Sequence, residues 1–353
     1  MTAAGDRPVP GPTDSILDVP GLRVGQRSLG TAADGPGGVT GLTLVVAPAG
    51  AVGAVDVRGA APGSRETDAL STTSSGERVH AVALVGRSVF GLAAADGVAS
   101  ELERRGIGLT IARPDGDGTL TVPIVAAAVV FDFASGEPGI RPTADDGAKV
   151  AAAALDEPIA RPASGNAGAG TGAWTGGIVG PRRKGGVGHA SLVARWPGGP
   201  LIVGALVVVN AAGRVSEDSG FDPIGPLPDL GPIVNARGQT TLAVVATNGR
   251  LGKAQLSRVA TMAHDGLARM IRPIHSGVDG DAVFALAATE GPDARPVPVH
   301  PWPAAAATII GSMAADAVAL AVNDAMRSAV DRGLAVDRGL TGDRVGPGVE
   351  PSV

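Results

Sequence analysis

Apolar residues in this chain fall into short β-branched runs broken by glycine and proline, and into four longer stretches with helical spacing. Gly41–Ala47 and Ala51–Val57, separated by Pro48-Ala49-Gly50, read as a hairpin, and Val79–Val85 as a third strand. Gly91–Arg105 carries Leu92, Val98 and Leu102 on one helical face. The nearly continuous apolar run Thr121–Phe131 is too rich in valine for a helix, whereas Thr143–Leu155 is a helix with Thr143 as its cap. Ala190–Arg195, Leu201–Val209, Thr241–Thr247 and Asp281–Ala288 are further strands, and Leu251–Ile271 and Ala307–Val330 are the two strongest amphipathic helices. Residues 161–188 form a glycine-rich loop region, and 213–238 are polar and dense in proline and glycine, which marks a surface linker.

Because the strands come in adjacent groups with helices between the groups, the pattern predicts an α/β chain of the layered α+β kind rather than a strict βαβ repeat. Composition narrows the function. Apolar residues make up 44% of 353, mostly alanine and valine, so a large core is available despite 54 glycines and 28 prolines. A net charge of −5 without a basic stripe, and only 2% aromatics, give no means of binding nucleic acid. No cysteine is present, which removes disulfides, thiolate nucleophiles and cysteine-ligated zinc. The first thirteen residues lack the apolar core of a signal peptide, and no apolar run approaches a membrane helix, so a soluble cytoplasmic protein without a membrane partner is expected. The five histidines show no metal-ligand spacing, and neither metal nor cofactor is implied.

Candidate chemistry concentrates where the linker meets a buried strand, at Gly238-Gln239-Thr240-Thr241. A threonine hydroxyl needs a base beside it. Cutting the Gln239–Thr240 bond would supply one, because the new α-amino group titrates near neutral pH. The bland alternative is a threonine that simply favours a strand. His275-Ser-Gly-Val-Asp279-Gly-Asp281 sets two carboxylates on one side of an extended segment. A calcium loop starting at Asp279 fails, because Val283 and Phe284 stand where an oxygen ligand and the turn glycine are required. Asn210, at the end of an apolar strand, carries an amide suited to an oxyanion. Ser88 lies in Gly86-Arg-Ser-Val-Phe-Gly91, a near match to a nucleophile elbow with Phe90 where glycine is needed. Gly168-Ala-Gly-Thr-Gly lacks the residues that complete a phosphate loop.

Taken together, several segments resemble one family, the DmpA-like aminopeptidases and β-aminopeptidases, with the nylon-oligomer hydrolases as close relatives. The matches are Gly59–Asp68, Gly86–Ala95, Val122-Pro-Ile-Val with Phe131-Asp132, Arg141–Asp145, Gly168–Ala173, Lys184-Gly-Gly-Val-Gly, Val209-Asn210-Ala, Thr240–Asn248 and Arg272-Pro-Ile-His-Ser followed by Asp-Gly-Asp281. The resemblance implies a four-layer αββα sandwich of the N-terminal-nucleophile type and a precursor that cuts itself. It implies Thr240 as nucleophile, Asn210 on the oxyanion side, and Asp279 and Asp281 orienting the Thr240 hydroxyl and ammonium. Three positions depart from the family pattern: Gln239 before the cut, Gly177 where many relatives carry lysine (with Lys184 the available substitute), and Phe131 where some carry tyrosine. Phe131, Lys184 and Gly177 therefore mark the expected substrate pocket.

The resulting expectation is an arm over residues 1–14, one catalytic domain over 15–340, a processing linker over 213–239, and a tail over 341–353. Maturation yields fragments 1–239 and 240–353, paired in a homo-oligomer, a tetramer by the same resemblance. The activity expected is hydrolysis of peptides or peptide-like linear amides, nylon oligomers included. Two alternatives stay open: an acyltransferase using the same Thr240, as ornithine acetyltransferases do, and an uncut, non-enzymatic scaffold.

Overall fold

The computed structural model describes residues 7–30, 39–134, 137–216 and 239–329. Strands β1 (Val9–Pro10), β2 (Arg23–Leu29), β3 (Thr40–Val57), β4 (Ser64–Arg65) and β5 (Arg78–Val85) precede helix α1 (Ala93–Arg104). Strands β6 (Leu109–Ala112), β7 (Thr119–Val122) and β8 (Val125–Val129) lead to α2 (Ala144–Asp156). Next come β9 (Trp174–Thr175), β10 (Arg183–Lys184), β11 (Gly186–Ala194), β12 (Leu201–Val209) and β13 (Arg214–Val215). Finally come β14 (Leu242–Thr247), α3 (Lys253–Met270), β15 (Ile271–Arg272), β16 (Ala282–Ala287) and α4 (Pro303–Ser328).

Side-chain alternation along the strands sorts the core into layers. The main ladder runs β1-β11-β12-β14-β16-β3-β5-β8-β4, with β2 also on β3. From β14, Leu242 and Val244 face an inner core that also holds Val45, Val82, Leu84, Leu206, Val208 and Phe284, so two halves of the ladder stack face to face. The alternate residues Ala243 and Val245 face outward, onto a second core with Leu256, Val259 and Leu267 of α3 and Ile310, Ala314 and Val318 of α4. On the other half, Leu42, Leu44, Ala83 and Val85 pack beneath Ala94, Val98 and Leu102 of α1 and Val150 of α2. Helix, sheet, sheet and helix are thus stacked in order, as the αββα reading requires.

The hairpin read around Pro48-Ala49-Gly50 is not formed. The two runs are one strand, β3, whose register shifts between Val46 and Ala51. Gly50 there takes a left-handed φ of +76°, and the strand bends there. Its first half pairs with β2 and β5, its second half with β16, so β3 joins the two sheet layers. The run Thr121–Phe131 likewise divides at Pro123 into β7 and β8.

Thr143 caps α2 as expected: its Oγ1 accepts from Asp146 N at 3.3 Å and Asp146 Oδ2 accepts from Thr143 N at 3.0 Å. Within the expected arm over residues 1–14, Val9 and Pro10 pair with Val193 and Leu192 at the sheet edge, while residues 1–6 lie outside the described set. Helix α4 corrects the expectation about membrane spans, since it is long and apolar enough to cross a bilayer. In this fold its apolar face is buried against α3, β11 and β12. Residues 217–238 of the expected processing linker and the tail over 341–353 lie outside the described residues.

Candidate active site

Thr240 sits two residues before β14, in the middle of the ladder, where β12 and β16 flank that strand. It is 3% exposed. With the 239–240 bond intact, Thr240 N donates to the Asn210 carbonyl at 2.7 Å. Gln239 O, the carbonyl of that same bond, accepts from Gly280 N at 2.9 Å. The atoms that would be attacked and released are therefore both held by main-chain hydrogen bonds.

Gly280 lies between the two acidic residues singled out above, on the turn that pairs with Gln239 through Asp279. A side chain there would meet Thr240 Oγ at 2.9 Å and Ala61 O at 2.7 Å, so only glycine lets this turn approach the hydroxyl. The turn is clamped from the other side by the segment after β3. Arg58 N and Gly59 N donate to Asp281 O at 3.0 and 3.1 Å, and Ala61 N donates to Asp279 O at 2.9 Å. A Cβ at Gly59 would collide with the main chain of Asp281 and Asp279.

Both carboxylates are fully buried. Asp281 Oδ1 accepts from Thr241 N at 2.6 Å, and its Oδ2 accepts from His275 N at 2.9 Å and lies 2.8 Å from His275 Nδ1. Asp279 Oδ1 accepts from Ala212 N at 3.2 Å, and its Oδ2 from Ser276 N and Oγ. Asp281 thus holds the main chain directly after Thr240 and the His275 ring, while Asp279 ties Ala212 to Ser276. Burial, and then the neighbouring Asp281 charge, hold the Asp279 carboxyl above its ordinary value. The His275 ring stacks edge-on against His264 with centroids 4.6 Å apart, and burial pushes the His264 ring down to about 4.

Asn210 is braced at both ends of its amide. Its Oδ1 accepts from Trp174 N at 2.9 Å and its Nδ2 donates to Phe131 O at 3.1 Å. An NH2 group carries two hydrogens, so the orientation that satisfies Phe131 O leaves a second donor direction. Phe131 contributes its carbonyl here, while its ring packs edge-on against Phe133 at 5.0 Å. Lys184 Nζ donates to Thr171 O at 2.7 Å and Ala173 O at 3.0 Å, 5.1 Å from the Trp174 ring centroid. Gly177 lies on the turn between β9 and β10 with φ +112°. The Trp174 strand thus links Lys184 to Asn210.

The sequence-predicted residues Gln239, Thr240, Asn210, Asp279, Asp281, Phe131 and Lys184 therefore converge, directly or through one neighbour. Ser88 does not assemble a triad. His264 Nε2 lies 3.0 Å from Asp56 O, His275 is on Asp281, and His300 Nδ1 accepts from Trp302 N at 3.0 Å. Among the described residues no cluster of three metal-ligating side chains occurs. Sequence reasoning missed Gly280 and His275 as parts of the site. A glycine between two carboxylates was the only signal for the first.

Residues 14–344 match Peptidase family S58. An uncharacterized aminopeptidase of Mycobacterium tuberculosis (strain ATCC 25618 / H37Rv) is 41% identical over 343 residues, covering 88% of this chain and 92% of that protein. The 6-aminohexanoate-oligomer endohydrolase of Paenarthrobacter ureafaciens is 31% identical over 289 residues, covering 78% and 75%. Among solved structures, the L-aminopeptidase D-Ala-esterase/amidase of Ochrobactrum anthropi, described as a variant of the Ntn hydrolase fold, aligns with TM-score 0.66 at 22% identity over 92% of this chain and 89% of its own. A Burkholderia sp. β-aminopeptidase aligns with TM-score 0.62 at the same identity and coverage.

Proposed function

We propose that this chain, which belongs to peptidase family S58 and hydrolyses amide bonds, does so through Thr240 after cutting itself at Gln239–Thr240. The observation that carries the reading is the held scissile bond: its carbonyl is on Gly280 N and its nitrogen on Asn210 O, beside a buried pair of carboxylates.

In self-cleavage, Thr240 Oγ adds to the Gln239 carbonyl carbon, and the oxyanion is stabilised by Gly280 N–H. The C–N bond breaks, the hydroxyl proton passes to the departing nitrogen, and water hydrolyses the resulting ester. The products are a Gln239 carboxylate and a free Thr240 amine with its hydroxyl restored. That amine keeps the Asn210 carbonyl as its anchor. In the mature enzyme it takes the proton from Oγ as the hydroxyl attacks a substrate amide, and returns it to the leaving amine. Asn210 Nδ2 and the same Gly280 N–H serve the substrate oxyanion, and water then clears the acyl-enzyme. The substrates are peptides or peptide-like linear amides, the chemistry that the names of the aminopeptidase and oligomer-endohydrolase relatives carry.

The test is intact mass. Sharing 34.6 kDa by residue number, cleavage yields pieces of roughly 23 and 11 kDa. Thr240→Ala is expected to stay whole and inactive. A wild-type chain that never splits, or a Thr240→Ala chain that splits after residue 239, refutes the assignment.

A further inference from the structure

The Gln239 side chain has no part in the chemistry above, yet it is almost completely buried beside it. With its amide nitrogen turned toward the acceptors around it, Nε2 donates to Trp174 O at 3.2 Å, Asn210 O at 3.2 Å and Ala211 O at 3.3 Å. Two of these carbonyls already accept a main-chain hydrogen bond, Asn210 O from Thr240 N and Ala211 O from Gly176 N. Each has a second lone pair to offer. The three converge on one point, four carbons beyond the carbonyl that Thr240 attacks.

A self-cleaving chain is its own first substrate, so the group attached to the scissile carbonyl occupies the place of a later acyl group. We propose that the three carbonyls of Trp174, Asn210 and Ala211 form the acyl-side binding site of the mature enzyme. This site selects linear acyl groups that carry an N–H donor, an ammonium or a primary carboxamide, four carbons beyond the scissile carbonyl. The proposal rests on Thr240 being the nucleophile.

Three features support the choice of ligand. The site has three acceptors where a carboxamide supplies two hydrogens, whereas an ammonium supplies three. Two buried carboxylates, Asp279 and Asp281, lie on the turn paired with Gln239. Two cations lie beside Trp174: Lys184, itself bonded to Thr171 O and Ala173 O, and Arg182, whose guanidinium is 5.5 Å from the indole ring centroid on its π face. Carbonyl oxygens and carboxylates together favour a donor and repel a carboxylate or any other lone-pair donor. The same charges explain why Gln239 leaves. Cutting converts its carbonyl into a carboxylate on the segment paired with the Asp279–Asp281 turn, and added negative charge there is unfavourable.

The experiment compares four 4-nitroanilides of matched length on the split enzyme, with the uncut Thr240→Ala chain as blank. The acyl groups are 5-aminopentanoyl (ammonium), 4-carbamoylbutanoyl (carboxamide), hexanoyl (apolar) and 4-carboxybutanoyl (carboxylate). Both donor-bearing acyl groups are expected to exceed hexanoyl in kcat/KM by about tenfold or more, with the carboxylate poorest, because a site built to bond N–H groups rejects analogues lacking them. Self-cleavage is timed in parallel for Gln239→Glu, which keeps the shape and replaces the donor with an acceptor, and is expected to slow by a similar factor. A split enzyme that cleaves hexanoyl as well as the donor-bearing anilides, or cleaves none of the four, overturns the site while leaving Thr240 standing. So does Gln239→Glu splitting at the wild-type rate. A wild-type chain that never splits overturns the nucleophile and the site together.

Discussion

Replacing Gly280 with alanine tests the role of its N–H without removing any functional group. The added Cβ lies 2.7 Å from Ala61 O and 2.9 Å from Thr240 Oγ, where ordinary contact begins at 3.4 Å. One side or the other must therefore give way by about 0.5–0.7 Å. Ala61 is tied to this turn through its N–H on Asp279 O at 2.9 Å, so the turn itself moves. A shift of that size stretches the Gly280 N to Gln239 O bond, now 2.9 Å, past useful hydrogen-bond length. Loss of one oxyanion donor costs about 10²–10³ in rate, and displacement of a reacting group adds to it. Self-cleavage of Gly280→Ala is expected to slow by about 10²-fold, while overpacking costs about 1–3 kcal/mol and leaves the chain folded. Timed denaturing gels from cell-free synthesis give the rate and a thermal melt checks the fold. Gly277→Ala, where a Cβ meets nothing within 4 Å, is the control. A Gly280→Ala chain that melts normally and splits at the rate of the control refutes the role of this N–H.

Phe284→Ala removes the largest apolar side chain of the inner core and is expected to cost about 3–5 kcal/mol in denaturant unfolding. Lys184→Met leaves Thr171 O and Ala173 O without their ammonium donor, so stability is expected to drop by about 1–3 kcal/mol; a variant as stable as wild type refutes the bracing role. Burial pushes the fully buried His189 ring down to about 4 from 6.5. Between those values the unfolded chain binds a proton that the folded chain refuses, so stability falls as pH falls through this window, by roughly 3 kcal/mol for the full shift. His189→Gln removes that contribution, and the wild-type and variant stabilities in urea are expected to diverge between pH 7 and 4.5. Parallel profiles refute it.

Much of the layering was legible because strands alternate. Leu242, Val244, Ala243 and Val245 read as a buried strand, and in the structure they feed two different cores. Thr240 was legible as the junction of a polar linker with that strand. What escaped is carried by backbone. Pro48-Ala49-Gly50 has the composition of a hairpin turn, but neighbours on both sides extend the strand through it, so tertiary pairing overrides the local signal. The Gly280 N–H and the Trp174, Asn210 and Ala211 carbonyls around Gln239 are main-chain groups, which no side-chain type marks. His275 takes φ +58°, which turns both its N–H and its ring toward Asp281, and a sequence carries no sign of that conformation.

The placement of β14 and β16 has a consequence for the matured molecule. Both strands lie on the 240–353 side of the proposed cut, yet in the ladder they stand between β12 and β3, which lie on the other side. Each of the two seams is a ladder of six residue pairs. The smaller piece is thus a wedge driven into the larger, and neither can withdraw without opening two seams at once. The proposed cut would therefore leave both seams in place but change the order of the assembly reaction. The uncut chain refolds by a first-order process, whereas the split molecule, once unfolded, must find its partner and recovers in proportion to concentration. The proposed self-cleavage would make this architecture a ratchet: folding comes first, as one chain, and the way back is a different reaction.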